Sequence, residues 1–480
     1  MTDYPGRAER ELARSLIESL SASVREQLRF GGADLAPAAE HVLYTALRRP
    51  RASAGAPRAD TLLRGIARPF AAHPRVRRSI GTRAEVVVLV TQPVHARLFG
   101  PIGDALVELG EPRPLLVAAR TGESSHVRLD GVTDADLRSF LPASAVIGLL
   151  GHAVRTSVAL RRAPSAWATV IDPARARRMS AVLSAAIPRL AIDVARLTGL
   201  MDAVRPRVLV CFSESGLLAR LAPAAAAPRG TPVLDLPHAE AADPWGTSGA
   251  GYEGMAVFGP RAAEAMRLAG VAPGRIVEIG PLGYDDLRPA KSDLDAVPRR
   301  VLFASQPVDE AYPYLAESGK RLALESAVAL AQGAGPAAVH VLPHPTEDER
   351  ELHDVVGSVA RATDVPMRIE PTGRLHALLP GAFALVTVTS QSVYEAVVTG
   401  VPAIAVHPVG IEVPVSYVAE GVALAASSVH EARRIGESLI GPGQRSAVTD
   451  RARDALADWL GPLDGRAAQR AAGWLHEAGR

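Results

Sequence analysis

Two short stretches of the chain combine residue types that could grip a phosphate. The first is Leu342-Pro343-His344-Pro345-Thr346-Glu347-Asp348-Glu349, which follows the apolar run Val339-His340-Val341-Leu342. That run reads as a buried strand and residues 347–360 as a helix, so His344 is held between two prolines at a strand-to-helix junction. A helix N-terminus favours phosphate, and an imidazole beside it can add a donor. The same residues could equally satisfy the turn locally. The second stretch, Val388-Thr389-Ser390-Gln391-Ser392-Val393-Tyr394-Glu395, again takes a strand into a helix through hydroxyl residues. Ser390 and Ser392 can donate to phosphate oxygens or simply cap the helix. Glu395 lies one turn on, within reach of ribose hydroxyls. A third apolar run, Val301-Leu302-Phe303-Ala304, ends in Ser305-Gln306-Pro307. Three such strand ends in one half of the chain point to a nucleotide-phosphate site.

Other apparent motifs fail on context. Gly249-Ala250-Gly251-Tyr252-Glu253-Gly254 has the letters of a dinucleotide fingerprint but precedes a strand instead of following one. Phe212-Ser213-Glu214-Ser215-Gly216 lacks the leading glycine of a nucleophile elbow. Asp134-Ala135-Asp136 could hold a divalent cation, but acids at a helix start are commonly dipole-favoured first-turn residues. Cys211 is the single cysteine, which excludes an intrachain disulfide and a cysteine-cluster metal site. No metal ligand set is assigned.

The elements that must position these residues alternate. From residue 84 onward, short β-rich runs alternate with Ala- and Leu-rich helices, the pattern of α/β folds with parallel strands. A polar, proline-bearing stretch over 285–299 reads as a linker, after which the alternation restarts. The expected organisation is a helical, Arg-rich extension over 1–80, a Rossmann-like domain over 84–285, a second over 298–465 and a C-terminal helix over 466–480. Two successive doubly wound domains are expected to face a cleft with the carboxyl ends of their strands. Within the extension, one helix is expected over 11–28 and another over 36–47, both separate from the α/β domains.

Composition narrows the function. The chain has 480 residues, 48% of them hydrophobic and only 4% aromatic, so its cores rest on Ala, Val and Leu. The 53 basic and 51 acidic residues nearly cancel, which argues against a nucleic-acid partner. Lys291 and Lys320 are the only lysines, an Arg bias that discounts individual arginines as signals. Residues 48–83 hold ten Arg and one acid, Asp60. This segment reads either as a solvated face or as a contact with anionic lipid. No apolar run reaches membrane-spanning length and the N-terminus is too charged for a secretory signal, so the expected location is cytoplasmic, with peripheral contact at the inner face of a membrane.

His344-Pro345 with Ser390/Ser392, in this domain order, resembles the GT-B glycosyltransferase superfamily over residues 84–460. The resemblance extends to bacterial capsule and polysialic-acid transferases and glycerophosphotransferases with cytidine-nucleotide donors, in which a His-Pro loop and a Ser-rich loop grip the nucleotide. Val257-Phe258-Gly259-Pro260 and Glu278-Ile279-Gly280-Pro281 are similar to the segment leading into that superfamily's linker. Asp130-Gly131, preceded by Leu129, keeps half of the acidic pair that supplies the polysialyltransferase base. Thr387 stands where a retaining enzyme would need an acid, which favours inversion. Pro237-His238-Ala239-Glu240-Ala241 is similar instead to a segment of non-hydrolysing UDP-N-acetylglucosamine 2-epimerases. Their acid-Ser-Gly-Gly loop, however, is replaced here by Thr389-Ser390-Gln391-Ser392.

The resemblance implies transfer of a sugar or polyol phosphate from a CMP-, CDP- or UDP-linked donor to a glycan or small-molecule acceptor, with no separate cofactor. Ser305, Gln306, His344, Pro345, Ser390, Ser392 and Glu395 would hold the nucleotide. The base would come from the first domain, where His95, Asp130, Glu240 and His238 are candidates. An epimerase and a catalytically inactive nucleotide-binding protein are the alternatives.

Overall fold

The computed structural model describes residues 6–48, 84–119, 133–141, 145–212, 217–239, 251–288, 299–308, 313–335, 337–345, 347–407, 410–411, 413, 416–441 and 443–480. The chain divides into two compact units, Met1–Gly283 with Arg466–Arg480, and Tyr284–Gly465. The Arg-rich segment over 49–83 lies outside the described residues.

The first unit opens with α1 (Arg7–Glu18), α2 (Ala22–Glu26), a short antiparallel pair β1 (Arg29–Phe30) and β2 (Ala33–Asp34), and α3 (Ala36–Arg48). The single helix expected over 11–28 is broken: the Ser21 side chain accepts from the Val24 backbone N–H and starts a new helix. A seven-stranded parallel sheet comes next: β3 (Val86–Val90), β4 (Leu115–Ala118), β5 (Ala135–Asp136), β6 (Val208–Phe212), β7 (Val233–Leu236), β8 (Gly254–Val257) and β9 (Ile276–Glu278). Its order is β5-β4-β3-β6-β7-β8-β9. The described helices that follow are α4 (Pro93–Glu108), α5 (Ala145–Leu160), α6 (Ala163–Trp167), α7 (Pro173–Val204), α8 (Leu217–Ala226) and α9 (Pro260–Leu268). Asp134 and Asp136 are spent on backbone donors, accepting from Leu116 N–H at 2.9 Å and Arg138 N–H at 2.9 Å.

The expectation of a separable N-terminal extension is corrected by its packing. Leu16, Leu28, Leu35 and Leu43 are buried in one core with Met179, Leu183 and Leu221. Trp167 Nε1 donates to the Leu16 carbonyl at 2.7 Å in the interior. Arg10 meets Glu40 at 3.0 Å, with both side chains largely buried. These helices bury too much apolar surface against α7 and α8 to stand alone.

The second unit is a six-stranded parallel sheet of β10 (Arg299–Ala304), β11 (Ala337–Leu342), β12 (Met367–Ile369), β13 (Ala382–Thr387), β14 (Ala403–Val406) and β15 (Leu424–Ala426). The order β12-β11-β10-β13-β14-β15 is that of a doubly wound sheet. Its described helices are α10 (Glu317–Gly333), α11 (Glu349–Ala360), α12 (Leu375–Leu378), α13 (Ser392–Val398), α14 (Val429–Ser438) and α15 (Gln444–Leu460). Strands buried on both faces explain the continuous apolar runs that stood out in the sequence.

The C-terminal helix α16 (Ala467–Glu477) belongs to the first unit and does not stand by itself. Arg470 Nε donates to the Ile279 carbonyl at 2.7 Å. Trp474 packs so close to Gly254 that a Cβ there would lie 2.7 Å from its ring.

Candidate functional site

In both sheets the strand order reverses beside the first strand of the sheet, between β3 and β6 and between β10 and β13. Ligands of doubly wound folds bind outside the carboxyl strand ends at such reversals. In the second unit, Ala304 of β10 pairs with Leu342 of β11 and Thr387 of β13, so three loops leave the sheet side by side. These are the loops holding Ser305-Gln306, Pro343-His344-Pro345 and Thr389-Ser390-Gln391-Ser392.

Hydrogen bonds tie them together. Gln306 Oε1 accepts from Thr389 N–H at 2.8 Å, and Gln306 Nε2 donates to Thr389 Oγ1 at 2.9 Å. Ser305 Oγ donates to Glu347 Oε1 at 2.6 Å. The other Glu347 oxygen accepts from His344 N–H at 3.0 Å. Thr387 Oγ1 donates to the Ala304 carbonyl at 2.9 Å, tying adjacent strands. Ser390 Oγ accepts from both Ser392 N–H (3.3 Å) and Ser392 Oγ (2.9 Å). A hydroxyl that accepts twice still has its own proton to donate to a third group.

Two features were not visible in the motifs. Lys320, on α10, sets its ammonium 2.5 Å from Glu347 and 3.0 Å from Glu351. The Lys320 and Glu347 side chains are only 5% and 1% exposed, so a buried ion pair props the His344 loop from beneath. The rarity of lysine in this Arg-rich chain was the available signal. His407, following β14, donates Nε2–H to the Val388 carbonyl at 2.9 Å and so braces the Ser loop. Burial lowers the His407 pKa, the hydrogen bond to Val388 opposing it. The His344 residue is exposed, yet protein around its ring lowers its pKa, and the charge of Glu347 opposes the shift.

Two expectations at this site change. The N-terminus of α11 is capped by Asp348, which accepts from Arg350 and Glu351 N–H, with Glu349 and Glu351 in the first turn. These acids occupy the donors and the favourable dipole end that the His344 loop was expected to offer a phosphate. Glu395, expected at a ribose, accepts from His376 Nε2 at 2.8 Å.

At the reversal in the first unit, His95 and His238 meet with ring centroids 5.3 Å apart. His95 also stacks on Phe212 at 4.5 Å. His95 lies in the first turn of α4 and is fully buried. Thr91 N–H donates to its Nδ1 at 3.3 Å, which places the proton of the neutral ring on Nε2. Proton abstraction by His95 would require exchanging that bond. His238 is half-buried. Asp130 and Glu240 lie outside the described residues, as do Ser213–Gly216. Among the described residues no group of three His, Cys, Asp or Glu is arranged to hold a metal.

No known family profile and no curated protein matches this sequence. Solved structures do match. A protein from Listeria monocytogenes described as a UDP-N-acetylglucosamine 2-epimerase superposes with a TM-score of 0.53 at 13% identity, covering 81% of this chain and 94% of its own. A further UDP-N-acetylglucosamine 2-epimerase gives 0.50 at 14% identity, with the same coverages. The fold class is GT-B. At these identities the likeness extends to the fold alone.

Proposed function

We propose that this GT-B chain is a nucleotide-sugar enzyme, specifically a transferase moving a sugar or polyol phosphate from a CMP-, CDP- or UDP-linked donor to a glycan or small-molecule acceptor. The observation that carries this reading is the Ser390 hydroxyl, fixed by two accepted hydrogen bonds at the sheet reversal with its own proton available. The leaving phosphate would accept a hydrogen bond from that hydroxyl, and the His344 ring would add a second donor where negative charge develops. Inversion is the expected course, since position 387 is a threonine committed to β10. His238, with Asp130 and Glu240, remains a candidate to take the acceptor proton.

The epimerase reading has its own observation, the His95–His238 pair at the other reversal, together with the fold likeness to epimerases. The two readings separate on one assay series. Thermal shift with CMP, CDP, UDP, GDP and dTDP identifies the base, since a specific ligand stabilises by mass action. The matching nucleotide sugar is then incubated with and without acceptor glycans. A transferase releases nucleotide only with acceptor present; interconversion of nucleotide sugars without acceptor would replace the proposal with the epimerase. His344→Ala should weaken nucleotide binding about tenfold, the loss of one hydrogen bond to a charged partner at about 1.5 kcal/mol. Wild-type affinity in that folded variant would remove His344 from the site.

A further inference from the structure

Helix α5 is apolar on both faces. Leu149, Ala153, Thr156 and Leu160 are buried against the first unit, while Ile147, Val154 and Val158 are 83%, 58% and 51% exposed. At 3.6 residues per turn the exposed three share one line, with Gly151 between them. A helix hydrophobic all round is expected to be covered on all sides. Charge around it is one-sided: residues 137–171 contain no acid, and eight arginines with the single acid Asp172 occupy 137–192. Arg155, Arg161 and Arg162 are exposed on or just after the helix.

We propose that this face of α5 docks on an anionic lipid surface. An apolar stripe flanked by arginines and free of carboxylates matches a bilayer with apolar chains below negative headgroups. A second copy fits less well. An isologous contact would set the patch against itself, bringing Arg155, Arg161 and Arg162 against their own copies.

The experiment is co-sedimentation of the full chain with vesicles of phosphatidylcholine alone and of phosphatidylcholine mixed equally with phosphatidylglycerol. The wild type should bind the mixed vesicles about tenfold or more tightly than the neutral ones, with salt weakening the contact. Ile147→Asp/Val154→Asp/Val158→Asp should lower that binding about tenfold or more, with unchanged circular dichroism. A serine version of the same triple variant guards against misfolding, and Arg155→Gln/Arg161→Gln/Arg162→Gln should reduce binding to the mixed vesicles while sparing the fold. Undiminished vesicle binding by the folded triple variants would overturn the proposal. So would binding lost only when the arginines of 48–83 are neutralised, or a triple variant whose effect is to convert a dimer to a monomer.

Discussion

Glu347 is the most constrained charge at the candidate site: its buried carboxylate takes Ser305 Oγ, Lys320 Nζ and the His344 N–H together. Removing one partner of a buried ion pair strands the other. Lys320→Met should therefore destabilise the second unit by about 3–5 kcal/mol. Lys320→Met/Glu347→Gln should recover much of that loss, because no buried charge is left unpaired. Denaturant unfolding of the three proteins checks the cycle; equal losses in the single and double variants would mean that the ion pair does not carry the effect. His344, Ser390 and Ser392 could be singled out in the sequence because local punctuation, a proline pair or a hydroxyl cluster after an apolar run, marked them. Glu347 stood in the same motif but carried no sign of burial. Its burial depends on α10 folding over the loop, a contact between residues 27 positions apart in the chain. His407 was hidden for the same reason, since its partner is the Val388 carbonyl just past the neighbouring strand β13.

Among the elements, the strands were the most legible, because parallel strands buried on both faces read as uninterrupted apolar runs. The 32-residue helix α7 was not read, although it organises the first core. It carries Pro188 inside and is buried almost all round from Ile187 to Leu197, so it has no amphipathic period to detect. Close approach of elements was equally invisible. Helices α10 and α14 cross backbone to backbone: a Cβ on Gly333 would lie 2.2 Å from the Arg433 carbonyl oxygen, and one on Gly436 would lie 2.3 Å from that of Leu330. Alanine favours a helix over glycine by about 1 kcal/mol. Here that gain is opposed by forcing two backbones apart, and overpacking of this kind costs about 1–3 kcal/mol. Gly436→Ala should therefore destabilise the second unit, where helix propensity alone predicts the reverse. A rise in its thermal midpoint would show that the crossing yields freely. The N-terminal helices test the opposite case. Leu43→Ala should cost about 2–5 kcal/mol if α3 belongs to the core, and almost nothing if it were a detachable extension.

At the scale of the molecule, the first unit is closed by both ends of the chain, which the linear order of motifs did not reveal. Glu111 joins Arg207, His476 and Arg480, so α16 is held to the first unit by charge as well as by packing. Burial raises the Glu111 pKa, but Arg207, His476 and Arg480 outweigh it and leave it below its ordinary value. The stabilisation from that carboxylate is present at neutral pH and is lost only as pH falls below the usual carboxylate range. Nearer neutrality the balance rests on histidines in both units. His152 in the first, and His344 and His407 in the second, have pKa values lowered chiefly by burial. A histidine depressed in the folded state takes up its proton more readily once unfolded. The unfolded chain therefore binds more protons as pH falls through about 6.5, and stability declines with it. Buried Asp193, raised by burial against the pull of Arg196 and Arg189, acts in the opposite sense, so single variants must isolate the histidine part. Unfolding free energy measured at pH 7.5 and 5.5 should fall in the wild type and fall less in His407→Asn. A nucleotide phosphate at His344 would restore that ring's affinity for a proton, so nucleotide should bind more tightly at pH 5.5 than at 7.5 in the wild type and lose this dependence in His344→Ala. Binding that weakens toward pH 5.5 in both proteins would separate His344 from the phosphate.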